Sequence, residues 1–147
     1  MYDYLAYFAK VQVIADGTAV EGTKCIDLEN ATIKRQIGVG KTLYLEVWAT
    51  STGDDSANSM ATTVNTHTAA IVAGSGTTLA SSGAVLLPNT TSKLMWQIAL
   101  PMTGMLRYLG VIFDATAVSG ASAVSVSAYI TETPQAFTAY DSALTVA

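Results

Sequence analysis

Apolar and polar residues alternate with a period of two along several stretches of this chain, as they do on the two sides of a pleated strand. Val124, Val126, Ala128 and Ile130 share one side, and Ser125, Ser127, Tyr129 and Thr131 take the other. Leu94, Trp96, Ile98 and Leu100 oppose Met95, Gln97 and Ala99, while Leu43, Leu45 and Val47 oppose Tyr44, Glu46 and Trp48. Each set predicts a half-buried strand with the first-named residues inward. Residues 106–113 are apolar on both sides apart from Arg107, which predicts a central strand whose outer face is also covered. A neighbouring subunit is one candidate for that cover. Met60, Thr62, Val64, Thr66 and Thr68 predict a weaker, Thr-rich strand near an edge, and residues 11–14, 24–28 and 77–87 hold further strands, the last broken at Gly83.

Turn signals separate these stretches at short intervals: Asp16-Gly17, Glu21-Gly22, Gly38-Val39-Gly40, Gly53-Asp54-Asp55, Gly74-Ser75-Gly76, Ser82-Gly83, Pro88-Asn89, Ser119-Gly120 and Pro134. The intervals are too short for most helices. Their Val, Ile, Thr, Tyr and Trp fit a pleated surface better than the crowded turn of a helix. The pattern predicts an all-β chain of about eight short strands in an antiparallel, jelly-roll-like sandwich. Helix is limited to a turn or two near residues 30–35. No internal repeat or linker divides the 147 residues, so one domain is expected.

Composition changes this picture in one respect. Hydrophobic residues make up 50% and charged residues 12%, about half the charged share of roughly 25% in ordinary soluble domains. Seven basic and eleven acidic residues give a net charge of −4, too few cations for the positive stripe that displaces counterions from nucleic acid. Folded chains of this mass expose roughly 7,000 Å², so each charged side chain would have about 400 Å² to itself. With a mean hydropathy of +0.38, part of the exterior is expected to lie under other protein. The opening residues lack the positive n-region of an export signal, and residues 56–92, though free of charge, are too rich in Ser, Thr, Gly and Asn to cross a bilayer. No membrane partner is expected.

Aromatic residues cluster at both ends: Tyr2, Tyr4, Tyr7 and Phe8 at the start, Phe137 and Tyr140 at the finish. Two readings stand. Residues 1–9 and 134–147 are arms that dock on neighbouring subunits, tyrosine giving large contact area at low entropic cost, or Leu5 and Phe8 open the first core strand and the tail folds back on its own sandwich.

Signals for chemistry are weak. Gly40-Lys41-Thr42 imitates the end of a phosphate-binding loop, but Arg35 occupies the position of the required first glycine and a strand follows instead of a helix. His67, the one histidine, has no acid near it in sequence, so a Ser-His-Asp relay has no support beyond its presence. Cys25, the one cysteine, excludes internal disulfides and thiolate zinc clusters and reads as a small semi-buried side chain. Asp54-Asp55 lacks the alternating oxygen ligands of a calcium loop and reads as a solvated tip. No catalytic residue, metal or cofactor is expected. Trp96 falls on the inward side of its strand, whereas Trp48 falls on the outward side and is a candidate interface aromatic.

Residues 35–47, Arg-Gln-Ile-Gly-Val-Gly-Lys-Thr-Leu-Tyr-Leu-Glu-Val, resemble a segment of the capsid cement, or decoration, proteins of tailed bacteriophages, in which an Ile-Gly-x-Gly turn leads into a Leu-Tyr-Leu strand. Cys25-Ile26-Asp27-Leu28 is similar to the preceding segment. Residues 106–111, the Ser119-Gly120-Ala121 turn and residues 124–130 resemble the family's closing hairpin. The resemblance runs over roughly residues 5–132 in order and spacing; residues 53–59 and the tail after Pro134 follow no pattern of that family. It implies a jelly roll on the exterior of an icosahedral shell, made in the host cytoplasm and binding the major capsid protein as a homodimer or homotrimer. Catalysis is not implied. The alternative is a trimeric spike or tail module that binds glycan through Trp48 and nearby tyrosines. A hydrolase built on His67 comes third.

Overall fold

The structure is a computed structural model that describes residues 7–14, 17–29, 42–51, 58–88, 92–100, 103–116 and 124–132. Nine strands follow one another: β1 (Tyr7–Ile14), β2 (Val20–Glu21), β3 (Ile26–Asp27), β4 (Tyr44–Ser51), β5 (Ser59–His67), β6 (Thr77–Leu86), β7 (Lys93–Ala99), β8 (Tyr108–Thr116) and β9 (Val124–Thr131). The described residues contain no helix. The turn expected at residues 30–35 lies outside them.

The pairing is nested. β1 pairs with β9, β2 and β3 with β8, β4 with β7, and β5 with β6, every pair antiparallel. Such nesting is that of one long two-stranded ribbon bent over on itself. Wrapping the ribbon brings β4 against β9 and β5 against β8, and two sheets close, ordered β1-β9-β4-β7 and β2-β8-β5-β6, with β3 also on β8. Two stacked antiparallel sheets joined in this way form a jelly roll, one of the two antiparallel designs that the strand pattern allowed.

The core lies between the sheets and is built from the inward residues of each strand. Leu45, Val47 and Ala49 of β4 meet Val124, Val126 and Ala128 of β9 on one side and Leu109, Val111 and Phe113 of β8 on the other, all but sealed from solvent. Thr62 and Thr66 of β5 are buried among them. Thr66 is accommodated because its hydroxyl donates to the Tyr108 carbonyl at 2.9 Å and accepts the Leu106 N–H at 2.7 Å, which removes the cost of burying an unpaired hydroxyl. Its strand, expected near an edge, lies next to the edge strand β6 and pairs on its other side with β8. Backbone pairing on both sides and the apolar Met60 and Val64 outweigh the weak hydrophobicity of the remainder.

Bulges correct the phase elsewhere. In β7 the register slips by one between Val47 and Trp48 of β4, so that Trp96 sits opposite Val47 and Leu94 opposite Trp48. Trp96 and Ile98 therefore keep the inward side, as expected, but Leu94 shares the outer face with Trp48 and Met95 joins the core in its place. A bulge adds one residue to one strand and so exchanges its two faces. β6 is not broken at Gly83; it continues through a bulge there, with Gly83 at φ 65°. Neighbouring hydroxyls absorb the displaced backbone groups: the Gly83 N–H donates to Ser81 Oγ at 3.2 Å and Ser82 Oγ donates to the Gly83 carbonyl at 2.7 Å. Within residues 24–28 only Ile26–Asp27 pairs as strand.

The outer face of β8 is covered, but by the chain itself. The connection from β5 to β6 folds back over the sheet and lays buried Ile71 on Gly110, where any Cβ would stand 2.8 to 3.2 Å from the Ile71 side chain. Gly76 allows the return: at φ +85°, its Cβ position is 2.7 Å from the Thr66 carbonyl oxygen, so only glycine passes. The neighbouring-subunit cover considered from sequence is therefore unnecessary at Gly110.

Residues 7–9, placed in an arm by one reading of the sequence, are the first residues of β1, and Phe8 is 0% exposed within the core. Phe8→Ala is expected to cost about 3–5 kcal/mol in urea unfolding, the range for an aromatic removed from a packed core. A loss below about 0.5 kcal/mol, typical of surface substitutions, would return Phe8 to a peripheral arm.

Candidate functional site

The outer face of the first sheet carries a row of residues matched by register across all four strands: Tyr7 of β1, Tyr129 of β9, Glu46 of β4 and Gln97 of β7. Alternation turns Glu46 away from the core that Leu45 and Val47 enter, yet Glu46 is 0% exposed. Its Oε1 accepts from Gln97 Nε2 at 2.9 Å, and its Oε2 accepts from the Tyr129 hydroxyl at 2.9 Å and the Trp48 indole N–H at 3.4 Å. A dry carboxylate is expensive unless donors replace water. Here donors from β4, β7 and β9 converge on one side chain, so Glu46 cross-links three strands. Chemically the cluster is a rigid anchor: the sole histidine, His67, lies on the other sheet.

Among the described residues β1 is an edge strand of the same sheet, bulged twice and bonded on its outer side at Phe8 and Gln12 by residues 21–24. Val11 sits there at φ 50°, where a β-branched side chain is strained, and its N–H donates to Ser127 Oγ at 3.0 Å. The distortion leaves Val11 and Val13 66% and 63% exposed. Two valines thus stand in water, and the bulges and Lys10 are the devices by which such an edge strand avoids indiscriminate pairing.

At one end of the second sheet, Arg107 and Asp27 form a two-point ion pair, Nε to Oδ1 at 3.1 Å and Nη2 to Oδ2 at 2.9 Å, which clips β3 to the start of β8. The guanidinium also lies 5.0 Å from the centre of the Tyr108 ring. Its hydrogen bonds hold the Asp27 carboxyl below the ordinary 3.8, with the Glu29 N–H adding to them against a burial cost, and the same pairing raises Arg107.

The residues singled out by sequence do not gather into one site. Phe8 is core; Tyr7 is half-buried, with the Lys24 ammonium 4.4 Å from its ring centre. Trp48 is half-buried on the outer face beside Tyr129 and Leu94, its indole N–H directed to Glu46. Tyr2, Tyr4, Phe137, Tyr140, Lys41 and Asp54-Asp55 lie outside the described residues. His67 accepts the Ala69 N–H on Nδ1 at 3.0 Å, a local turn contact. Cys25 is half-buried and unbridged. Among the described residues no group of three His, Cys, Asp or Glu side chains is arranged for a metal. Sequence reasoning passed over Glu46; its only trace there is an acid between Tyr44 and Trp48 in a strand otherwise poor in charge.

The fold thus defines a jelly-roll β-sandwich whose outer faces are held by side-chain networks. Neither family models nor curated protein sequences match the chain. Among solved structures it is similar in fold to a chain in "Structure of infectious bursal disease virus Gx strain", with 14% identity and a TM-score of 0.46 over 90% of this chain and 32% of that one.

Glu46→Ala leaves the half-buried Tyr129 hydroxyl and Trp48 indole N–H without their acceptor, while exposed Gln97 turns to water; urea unfolding should show a loss of about 1–3 kcal/mol, with Glu46→Gln losing less. The Asp27 ion pair has an acid signature. Because the folded carboxyl titrates below its unfolded value of 3.8, its contribution is present above that pH and disappears as pH falls through the lowered folded value. Arg107→Met should therefore lower the urea midpoint at pH 6 and have a smaller effect at pH 2.5. An equal effect at both would mean that Arg107 acts through packing alone.

Proposed function

We propose that this chain is a structural protein of a virion: a cement protein that binds the outside of an icosahedral phage shell and bridges its capsomers. The observation that carries the reading is a jelly roll whose exterior is sparsely charged and leaves large apolar side chains in water. Val11, Val13, Val72, Leu86 and Leu106 are all exposed, on a chain with 12% charged residues. Such surfaces suit permanent contact with protein, where unpaired buried charge would be penalised. The jelly roll is an architecture used by viral shells and by lectins, and the resemblance of residues 35–47 and 106–130 to phage cement proteins favours the first.

The partner is the major capsid protein, with a second or third copy of this chain completing the oligomer. A protein that binds the assembled lattice and not its free subunits stabilises the shell by mass action. No moving part or bound cofactor is needed. The anchored Glu46 row fits the same task, because a face that is already ordered loses little entropy on docking.

Added to shells stripped of accessory proteins, the purified chain should co-sediment to saturation near one copy per major capsid subunit and raise the melting temperature of the shell. Mass spectrometry of intact particles should give the same stoichiometry. A handful of copies per particle would instead make it a tail or spike component, and absence of binding would remove the proposal.

A further inference from the structure

The outer face of the second sheet carries a groove of about 330 Å³, within the usual span of small-ligand sites, roughly 300–1,000 Å³. Its floor comes from β5 and β8, where register aligns Ala61 with Asp114 and Thr63 with Ile112, and it continues along β5 to Asn65. One wall is the connection between β5 and β6, the Gly74-Ser75-Gly76 turn. That wall is tied down at three points. Asn65 Nδ2 donates to the Ser75 carbonyl at 3.0 Å, the Ser75 hydroxyl donates to the Val72 carbonyl at 2.8 Å, and the Ala73 N–H donates to Glu21 Oε2 at 3.1 Å. The groove is formed before anything enters it.

The lining restricts what fits. It contains no Lys, Arg or His, so phosphate, sulfate or a carboxylate has no counter-charge. Asp114 is its single acid, and one carboxylate without companion oxygens is a poor site for a divalent cation. The apolar floor is small, with Ile112 8% exposed, too little to anchor a hydrophobic ligand. What remains is a set of neutral groups that both donate and accept: the hydroxyls of Thr63 and Thr78, the amide of Asn65 and the backbone of a glycine-rich turn, with Asp114 at the rim. Asn65 keeps capacity for more, since its oxygen takes one bond, from Thr78 Oγ1 at 3.3 Å, and its nitrogen gives one.

We propose that this groove binds a neutral saccharide, with Asp114 accepting from adjacent sugar hydroxyls and Asn65 bonding at the other end. The Asp114 row and the Asn65 row are four residues apart along the strands, about 13 Å at the rise of an extended chain, which is the length of a disaccharide and not of one ring. The site is separate from Trp48, which lies on the other sheet, and stands whether or not the chain binds a shell.

The test uses the full chain, ¹⁵N-labelled, titrated with maltose, lactose, cellobiose and di-N-acetylchitobiose, with calcium chloride as a separate probe. At least one disaccharide should shift the amides of Thr63, Asn65, Gly74 to Thr78, Ile112 and Asp114 with a millimolar dissociation constant, leaving those of β4 and β9 in place. Asp114 is exposed, so Asp114→Ala should leave the melting temperature unchanged while weakening binding by about tenfold or more, the effect of losing hydrogen bonds to a charged group. Thr63→Val, which keeps the shape, should weaken it less. Absence of shifts with every sugar at 100-fold excess over about 1 mM protein would overturn the proposal. So would shifts insensitive to Asp114→Ala, or a response to calcium alone, which would make the groove a cation site.

Discussion

Contact between two apolar sheet faces is the constraint to which the rest of this molecule answers. Each strand of the folded ribbon must present its inward residues to the same slab of core, although the strands come from positions as distant as Phe8 and Val126. A slip of one residue would turn an entire strand inside out. The bulges at Met95 and Gly83 and the two in β1 let short, irregular segments stay in step with the core, with unpaired backbone groups taken up by serine hydroxyls where they fall.

Once the core is closed, the two outer faces are left to different devices. On the first sheet Glu46 draws together donors from β4, β7 and β9. On the second, the connection between β5 and β6 folds over the strands and is locked by Ile71 on Gly110 and by Glu21 and Asn65 on its backbone. Both leave surfaces that are ordered without a partner. Rigid, sparsely charged faces with exposed apolar side chains are costly to leave in water and cheap to dock, and the proposed place in a larger shell rests on that combination.

The two sheets differ in what they leave exposed. The first offers exposed valines on a strained edge and a half-buried tryptophan, a surface suited to protein. The second exposes Leu86, with Val72 and Leu106 on its connections, and adds a walled groove of hydroxyl, amide and a lone carboxylate, the surface proposed for a small polar ligand. Scaffolds of this kind carry function on their faces and connections, and the core below is indifferent to which function that is.

Period-two patterning was enough to assign β4, β9 and the inward half of β7, because a residue's side of a strand depends only on parity while the strand remains regular. A sandwich of antiparallel strands was legible from their number, length and spacing, whereas the nested pairing that makes it a jelly roll was not. Parity fails at a bulge, and for that reason Leu94 and Met95 exchange places. Sequence position also says nothing of neighbours in space. The placement of the Thr-rich β5 between two strands depends on pairing with β8 and β6, and the cover on Gly110 depends on a loop from elsewhere in the chain. Glu46 illustrates the division most clearly: its strand and its side of the sheet follow from the residues around it, but its burial depends on Gln97, 51 residues away, and Tyr129, 83 away, which only the folded sheet brings within hydrogen-bond reach.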